Sequence, residues 1–428
     1  MPGDHRAFGP YPVRHIRQQR GMTGVYDLTA NGTSRVRQAP LSYEQEPLWF
    51  LGEMVPDMPV DTECAMVVLP GELDVQALRD GLEAFVQRHE IWRTIFPSPD
   101  GRPMQVVQAQ GNWTWSAADL SGLRKAEQDK QALCLAEEQV RQPFDLSRGP
   151  LVRALLVRLG DNEHRLFITL HRIIFDRTSL TQIFLPELHE LYEAAVQGRE
   201  DRLDEVDVQY ADYATSQREQ EEDEELRLHL KFWKEYLADA PTVLELPGDH
   251  QRPAQLSYRG GTLAFALGDE LTARLRELGR QEQVTLRTTL TAAVQALLYR
   301  YTGQEDLLIG SAMSRREQVR LHRTMGCFVT MVVQRASLAG KPSVRELLRQ
   351  RRRRARQRPI TKRCPSTRSS KKCSRTGARA TSRWCRCCWS SSRSRRPCRQ
   401  RGRSSRPSSP RRRRNTTCAW RSTSERRG

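Results

Sequence analysis

Two hydrophobic textures run along this chain, a 3.6-residue period and short unbroken apolar runs, and both occur in two separate blocks. In the first block Val75, Leu78, Leu82 and Phe85 share one helical face, and Asp74 stands where it can cap that helix. The stretches 151–159 and 165–170 are apolar runs parted by Gly160-Asp161-Asn162, which predicts two strands joined by a turn. Ile183, Phe184, Leu188, Leu191 and Tyr192 then form the stripe of a further helix. The stretch 217–227 is dense in charge and reads as a solvated helical face or connector. A Pro/Gly-rich crossing over 241–261 leads into the second block. Here the pattern predicts helices over 271–278 and 286–301, and strands over 307–310 and 328–334. Helices and strands mixed within each block imply an α/β chain of two lobes, 41–180 and 181–350.

Charge changes this picture at both ends. Residues 351–428 hold 29 Lys and Arg against one acid, Glu425, whereas the preceding 350 residues hold 41 against 50. A mildly acidic body therefore adjoins a strongly basic tail. That tail has one Ile, three Trp and no Leu, Val, Phe, Tyr or Met, too little apolar surface to offset the entropy of ordering, so it is expected to be disordered. Residues 1–40 read as a disordered basic leader without the apolar segment of a secretory signal. No apolar run reaches the ~18 residues of a membrane span. Cys64, Cys134 and Cys327 are scattered through the body, as suits a reducing cytoplasm. The seven tail cysteines lack the spacing of a zinc site, so no metal is expected.

Motifs in the body carry a resemblance. Leu41-Ser42-Tyr43-Glu44-Gln45 with Leu48-Trp49-Phe50 comes first, then Arg88-His89-Glu90 with Arg93-Thr94 and Phe96. Pro143-Phe144-Asp145-Leu146 with Gly149-Pro150-Leu151, Tyr210-Ala211-Asp212-Tyr213-Ala214, Phe232-Trp233 and Leu244-Glu245-Leu246-Pro247 follow. Ile309-Gly310, Arg316, Gly326, Phe328 and Val329 complete the series. In this order they resemble the condensation domains of nonribosomal peptide synthetases over about residues 41–349. The resemblance implies a V-shaped pair of chloramphenicol-acetyltransferase-like lobes with a tunnel between them. It implies amide formation between two thioesters, each carried on the phosphopantetheine of a peptidyl or acyl carrier protein. No bound cofactor, nucleic acid or membrane is implied, and a cytoplasmic monomer is expected, its two lobes supplying one interface. No adenylation motif or carrier segment is present, so both carriers are expected to act in trans.

The family's central HHxxxDG motif reads here His171-Arg172-Ile173-Ile174-Phe175-Asp176-Arg177. The catalytic positions implied are His171, Arg172 and Asp176, with Arg316 and Arg177 in support. Arg172 stands at the second His, to which the family assigns the catalytic or amine-positioning role. A guanidinium has no acceptor and keeps its proton, so Arg172 is no general base. The loss of such a base is worth roughly 10²–10⁴ in rate. The resemblance pairs Asp176 with Arg316 and has His171 support the loop. Arg177 replaces a Gly whose role there is backbone conformation, and Thr330 replaces an Asn. An HR-type motif also occurs in non-catalytic relatives that recruit a tailoring oxygenase, although the second acid of that pattern is Arg177 here.

The tail reads differently in the neighbouring frame. Residues 361–370 are then compatible with HQxVPFDEVV and residues 381–389 with NVPLVQVLL, which resemble the two family motifs absent from the written chain. An out-of-frame tail is the expectation, and with it an incomplete second lobe, so that an inactive product of a frameshifted gene stands as a further alternative to the condensing and docking functions; for the tail itself a selected phosphate-binding Arg/Ser segment is the alternative.

Overall fold

The computed structural model describes residues 36–219, 231–250, 263, 265–356 and 418–419. Residues 1–35, most of 217–227 and most of the basic tail lie outside the described residues, whereas Arg37–Pro40, expected within the disordered leader, form a strand because their backbone pairs antiparallel with residues 104–107.

The chain enters through β1 (Arg37–Pro40) and α1 (Gln45–Met54), followed by β2 (Thr62–Pro70) and α2 (Val75–Arg88). Asp74 caps α2, its carboxylate accepting from the amide of Ala77 at 2.9 Å. Leu78, Leu82 and Phe85 are buried as the period predicts, with Ala77, Gly81 and Val86 beside them. Val75 is exposed and not part of that face. Next come β3 (Thr94–Ile95), β4 (Met104–Val107), β5 (Thr114–Asp119) and α3 (Lys125–Arg141). The strands read from 151–159 and 165–170 are β6 (Val152–Gly160) and β7 (Glu163–His171), an antiparallel pair.

The main sheet runs β2-β7-β6-β5. Val152, Ala154 and Leu156 of β6 face the core beneath α2, whereas Leu155, Val157 and Leu159 face Ala132 and Ala136 of α3. Burial on both faces explains why β6 reads as a continuous apolar run and not as an alternation. A small sheet, β1-β4-β3, lies beside it. On the outer side of β2, Cys418–Ala419 (β10) pairs in parallel, Cys418 opposite Val67. These two residues form a strand where the composition predicted disorder: a free sheet edge accepts any extended backbone.

After β7, a π-turn over Ser179–Phe184 leads into α4 (Leu185–Gln197). The sequence places 181 onward in a second lobe, but the structure packs Ile183, Phe184, Leu188, Leu191 and Tyr210 into the first core. The cause is close packing of α4 on α2. A Cβ at Gly81 would stand 3.3 Å from the amide nitrogen of Tyr192, and the Phe184 ring meets Phe85 edge-on at 5.1 Å. Tyr192 itself is half-buried. α5 (Tyr210–Glu219) closes this core, which also receives Leu321, Met325 and Phe328.

The second block contributes α6 (Asp269–Gln281), α7 (Leu286–Thr302), the antiparallel pair β8 (Asp306–Ser314) and β9 (Val329–Ser337), and α8 (Val344–Arg356). Its core gathers Ala292, Leu307, Ala336, Leu338, Leu347 and Leu348. The 241–250 crossing is tied to this block through Gln304, which donates to the carbonyl of Val243 and accepts from the amide of Glu245 at 3.0 Å. α8 continues six residues past 350, where the tail was expected to begin. Arg is a good helix former, and Arg345 and Arg349 both reach Glu282.

Candidate functional site

β7 delivers His171 to the end of the sheet, and the chain then turns tightly over Arg172–Ile174. The register of β2 and β7 sets Thr62 opposite His171. It thereby brings Asp61 beside Arg172, whose amide donates to the Asp61 carbonyl at 2.8 Å.

His171 is 3% exposed. Its Nδ1 accepts from the amide of Ile173 at 3.2 Å, which leaves the proton on Nε2. Burial, reinforced by the Arg172 charge, pulls its pKa down to about 3. The imidazole is therefore neutral and holds the turn. Gln45, from the first sequence motif, donates to the Ile173 carbonyl at 3.3 Å. The same glutamine accepts from the amide of Ser42 at 3.0 Å and so fixes the start of α1 to this turn.

Asp176 and Arg316 meet as expected. Their side chains are 3% and 4% exposed and lie 3.2 Å apart. The Asp176 carboxylate also accepts from the amide of Ser179 at 2.7 Å and from the amide of Phe328 at 3.2 Å. Arg316 donates further to the carbonyls of Leu321 at 2.8 Å and Thr324 at 2.6 Å, and lies 4.1 Å over the Phe328 ring. With so many partners, Asp176 binds the turn after β7 to the segment between β8 and β9. Gly326 belongs to this junction. Its φ is 151°, and a Cβ there would stand 1.9 Å from the Tyr210 ring. Tyr210 in turn contacts the Ser42 hydroxyl at 2.8 Å and donates to the Cys327 carbonyl.

Arg172 is different in kind. Its side chain is 33% exposed, with Nε 3.5 Å from Glu63 and Nη1 3.9 Å from Asp61. Burial raises the Asp61 pKa, the Arg172 charge opposes that rise, and Glu63 adds to it. Arg177 is exposed and does not stand at positive φ, so its backbone does not require the family's Gly. Thr330 is buried within β9.

The remaining motifs are scaffold. His89 is wholly buried, contacts Glu187 at 2.7 Å, and has its pKa lowered, first by burial. Arg88 reaches the same carboxylate at 3.1 Å. Phe144 and Leu146 fill the core, and Asp145 accepts from the amide of Ser147 at 2.8 Å to shape the turn that follows. Reading the sequence missed Ser179, though its spacing of three from Asp176 is a turn signal. It also missed Asp61 and Glu63, which no local pattern marks. Among the described residues, no cluster of His, Cys, Asp and Glu could hold a metal, and no helix is long and apolar enough to cross a membrane.

Comparison with known proteins agrees with this geometry. A family model described as the Condensation domain matches residues 36–379. A linear gramicidin synthase polypeptide of Brevibacillus parabrevis is 42% identical over 338 residues, 78% of this chain and 6% of that protein. Phosphinothricin tripeptide synthetase PhsB of Streptomyces viridochromogenes is 38% identical over 315 residues, 74% of this chain and 26% of the synthetase. The chain thus spans a small part of the length of these relatives. Among solved structures, a complex of the X-domain and OxyB from teicoplanin biosynthesis matches with TM-score 0.71 and 27% identity, over 84% of this chain and 78% of that one. The SgcC5 protein from Streptomyces globisporus matches with TM-score 0.66 and 26% identity, over 78% of this chain and 75% of that one. With its motifs in family order and its fold shared with solved condensation domains, this chain belongs to the condensation-domain family of nonribosomal peptide synthetases, with their chloramphenicol-acetyltransferase-like α/β fold.

Proposed function

We propose that this chain joins two acyl groups, each delivered as a thioester on the phosphopantetheine of a carrier protein, by amide formation in a channel between two lobes. The observation that carries the reading is the turn after β7. His171 and Asp176 are buried and fully engaged in holding it, and Arg172 projects from it with a third of its surface accessible. The attacking amine forms a C–N bond to the donor carbonyl, the C–S bond breaks, and the phosphopantetheine thiol leaves. Arg172 cannot take the amine proton, so its part is charge: a guanidinium beside a developing oxyanion stabilises it. Holding the two arms in one channel supplies the rest through proximity. The test is to incubate the purified chain with a panel of carrier proteins loaded with aminoacyl thioesters and to seek the amide by mass spectrometry. Amide above the uncatalysed level supports the reading. No amide from either the native chain or Arg172→His removes it.

The X-domain likeness favours a second reading. A condensation fold with Arg at position 172 would dock carriers or a tailoring enzyme without chemistry. Carrier binding by calorimetry, unchanged in Arg172→His and with no amide from either form, would select it.

A further inference from the structure

The turn after β7 leaves one chemical need unmet: a group that accepts the amine's proton. His171 is locked, its Nδ1 held by the Ile173 amide. Asp176 is saturated by Arg316, Ser179 and Phe328. Cys327 is wholly enclosed, and burial pushes its thiol up to about 12. Among the described residues, the remaining acceptors at the turn are the two carboxylates that face Arg172 across the β2–β7 pair, Asp61 and Glu63.

Asp61 is the better placed of the two. It directly precedes β2, and its backbone is fixed to residue 172 by the 2.8 Å amide-to-carbonyl bond. Its side chain is 16% exposed, open to solvent yet shielded, whereas that of Glu63 is 42% exposed. The charges facing it are the Arg172 guanidinium and the Glu63 carboxylate; His171 beside them is neutral. Its φ of 57° lies in the left-handed region, which Asp and Asn tolerate better than most side chains, so the backbone of the turn itself favours a residue of this type.

Resting on the function proposed above, we propose that Asp61 is the proton acceptor of amide formation in this chain, with Arg172 orienting its carboxylate and Glu63 completing the charged cluster. As the amine nitrogen bonds to the donor carbonyl carbon, its proton passes to an Asp61 oxygen. When the tetrahedral adduct collapses and the C–S bond breaks, the proton passes on to the departing phosphopantetheine sulfur. No oxidant, metal or further reactant enters. A carboxylate pushed above its ordinary range by burial is a stronger base than a surface one, which suits the task.

The test uses the full chain, Asp61→Asn, Arg172→His and the double variant, each with carrier-bound aminoacyl thioesters across a range of pH. Asn keeps the left-handed backbone and the carbonyl that Arg172 binds, so circular dichroism should not change. In the native background Asp61→Asn is expected to lower the rate by roughly 10²–10⁴ and to abolish the loss of rate on acidification that titration of Asp61 imposes. In the Arg172→His background, where an imidazole can take the proton, the same change is expected to cost less than about tenfold. A native rate that survives Asp61→Asn with its acid limb intact overturns the assignment. So does amide formation by Arg172→His alone, an outcome that leaves the condensation reading standing. Absence of amide from every variant removes both.

Discussion

Replacing Arg316 by Met tests how the site is held together. The substitution leaves the Asp176 carboxylate, 3% exposed, without its cation, and strips donors from the carbonyls of Leu321 and Thr324. Breaking a buried pair by removing one partner costs about 3–5 kcal/mol, because an uncompensated charge stays inside. With a urea slope of about 3 kcal/mol per molar, the unfolding midpoint should fall by about 1–1.7 M. Tryptophan emission can follow it, since Trp92 and Trp233 are both 1% exposed. Removing both charges in Arg316→Met with Asp176→Leu should recover much of the loss, as a buried pair replaced by apolar groups is often close to neutral. A single-variant loss below about 1 kcal/mol would match an exposed pair, and would refute the view that this bridge joins the β7 turn to the second block.

Gly326→Ala should be as disruptive, since its Cβ would stand 1.9 Å from the Tyr210 ring; an unaltered urea midpoint would contradict that packing. Acid should destabilise the fold through His171. Its folded pKa, about 3, lies below the ordinary value of 6.5, so the unfolded chain binds a proton that the folded one refuses, and stability falls as pH drops below 6.5. By a pH of about 4.5 the loss should reach about 3 kcal/mol at about 1.36 kcal/mol per unit. His171→Gln should flatten that dependence, and a profile equally steep in the variant would assign it elsewhere, for instance to His89, whose pKa is lowered in the same sense. Sequencing the DNA across codons 345–365 should return a shift into the frame that encodes the two absent motifs; an unshifted sequence in independent isolates would argue for a selected basic segment.

Much of this architecture can be read from residues alone, and the exceptions share a cause. α2, β6, β7, α6, α7, β8 and β9 announce themselves because each carries a local period or run that burial imposes. The Asp176–Arg316 partnership was legible only through family resemblance, since 140 residues separate the pair. Asp61 was not legible at all: only the strand register brings it opposite Arg172. The same limit misplaced the lobe boundary. Phe184 and Leu188 show that α4 has an apolar side, but the choice of α2 as its partner depends on close approach at Gly81, which a one-dimensional pattern does not encode.

The lock on the turn after β7 has a consequence for biosynthesis of the chain itself. The amide of Phe328 that binds Asp176 lies 152 residues downstream. At ribosomal speeds of about 5–20 residues per second, that segment takes about 8–30 s to emerge. Throughout this interval the β2–β7–β6 scaffold can be complete while Asp176 awaits its partners, so a nascent chain stalled before codon 328 would hold these three strands paired and the turn after β7 still unassembled.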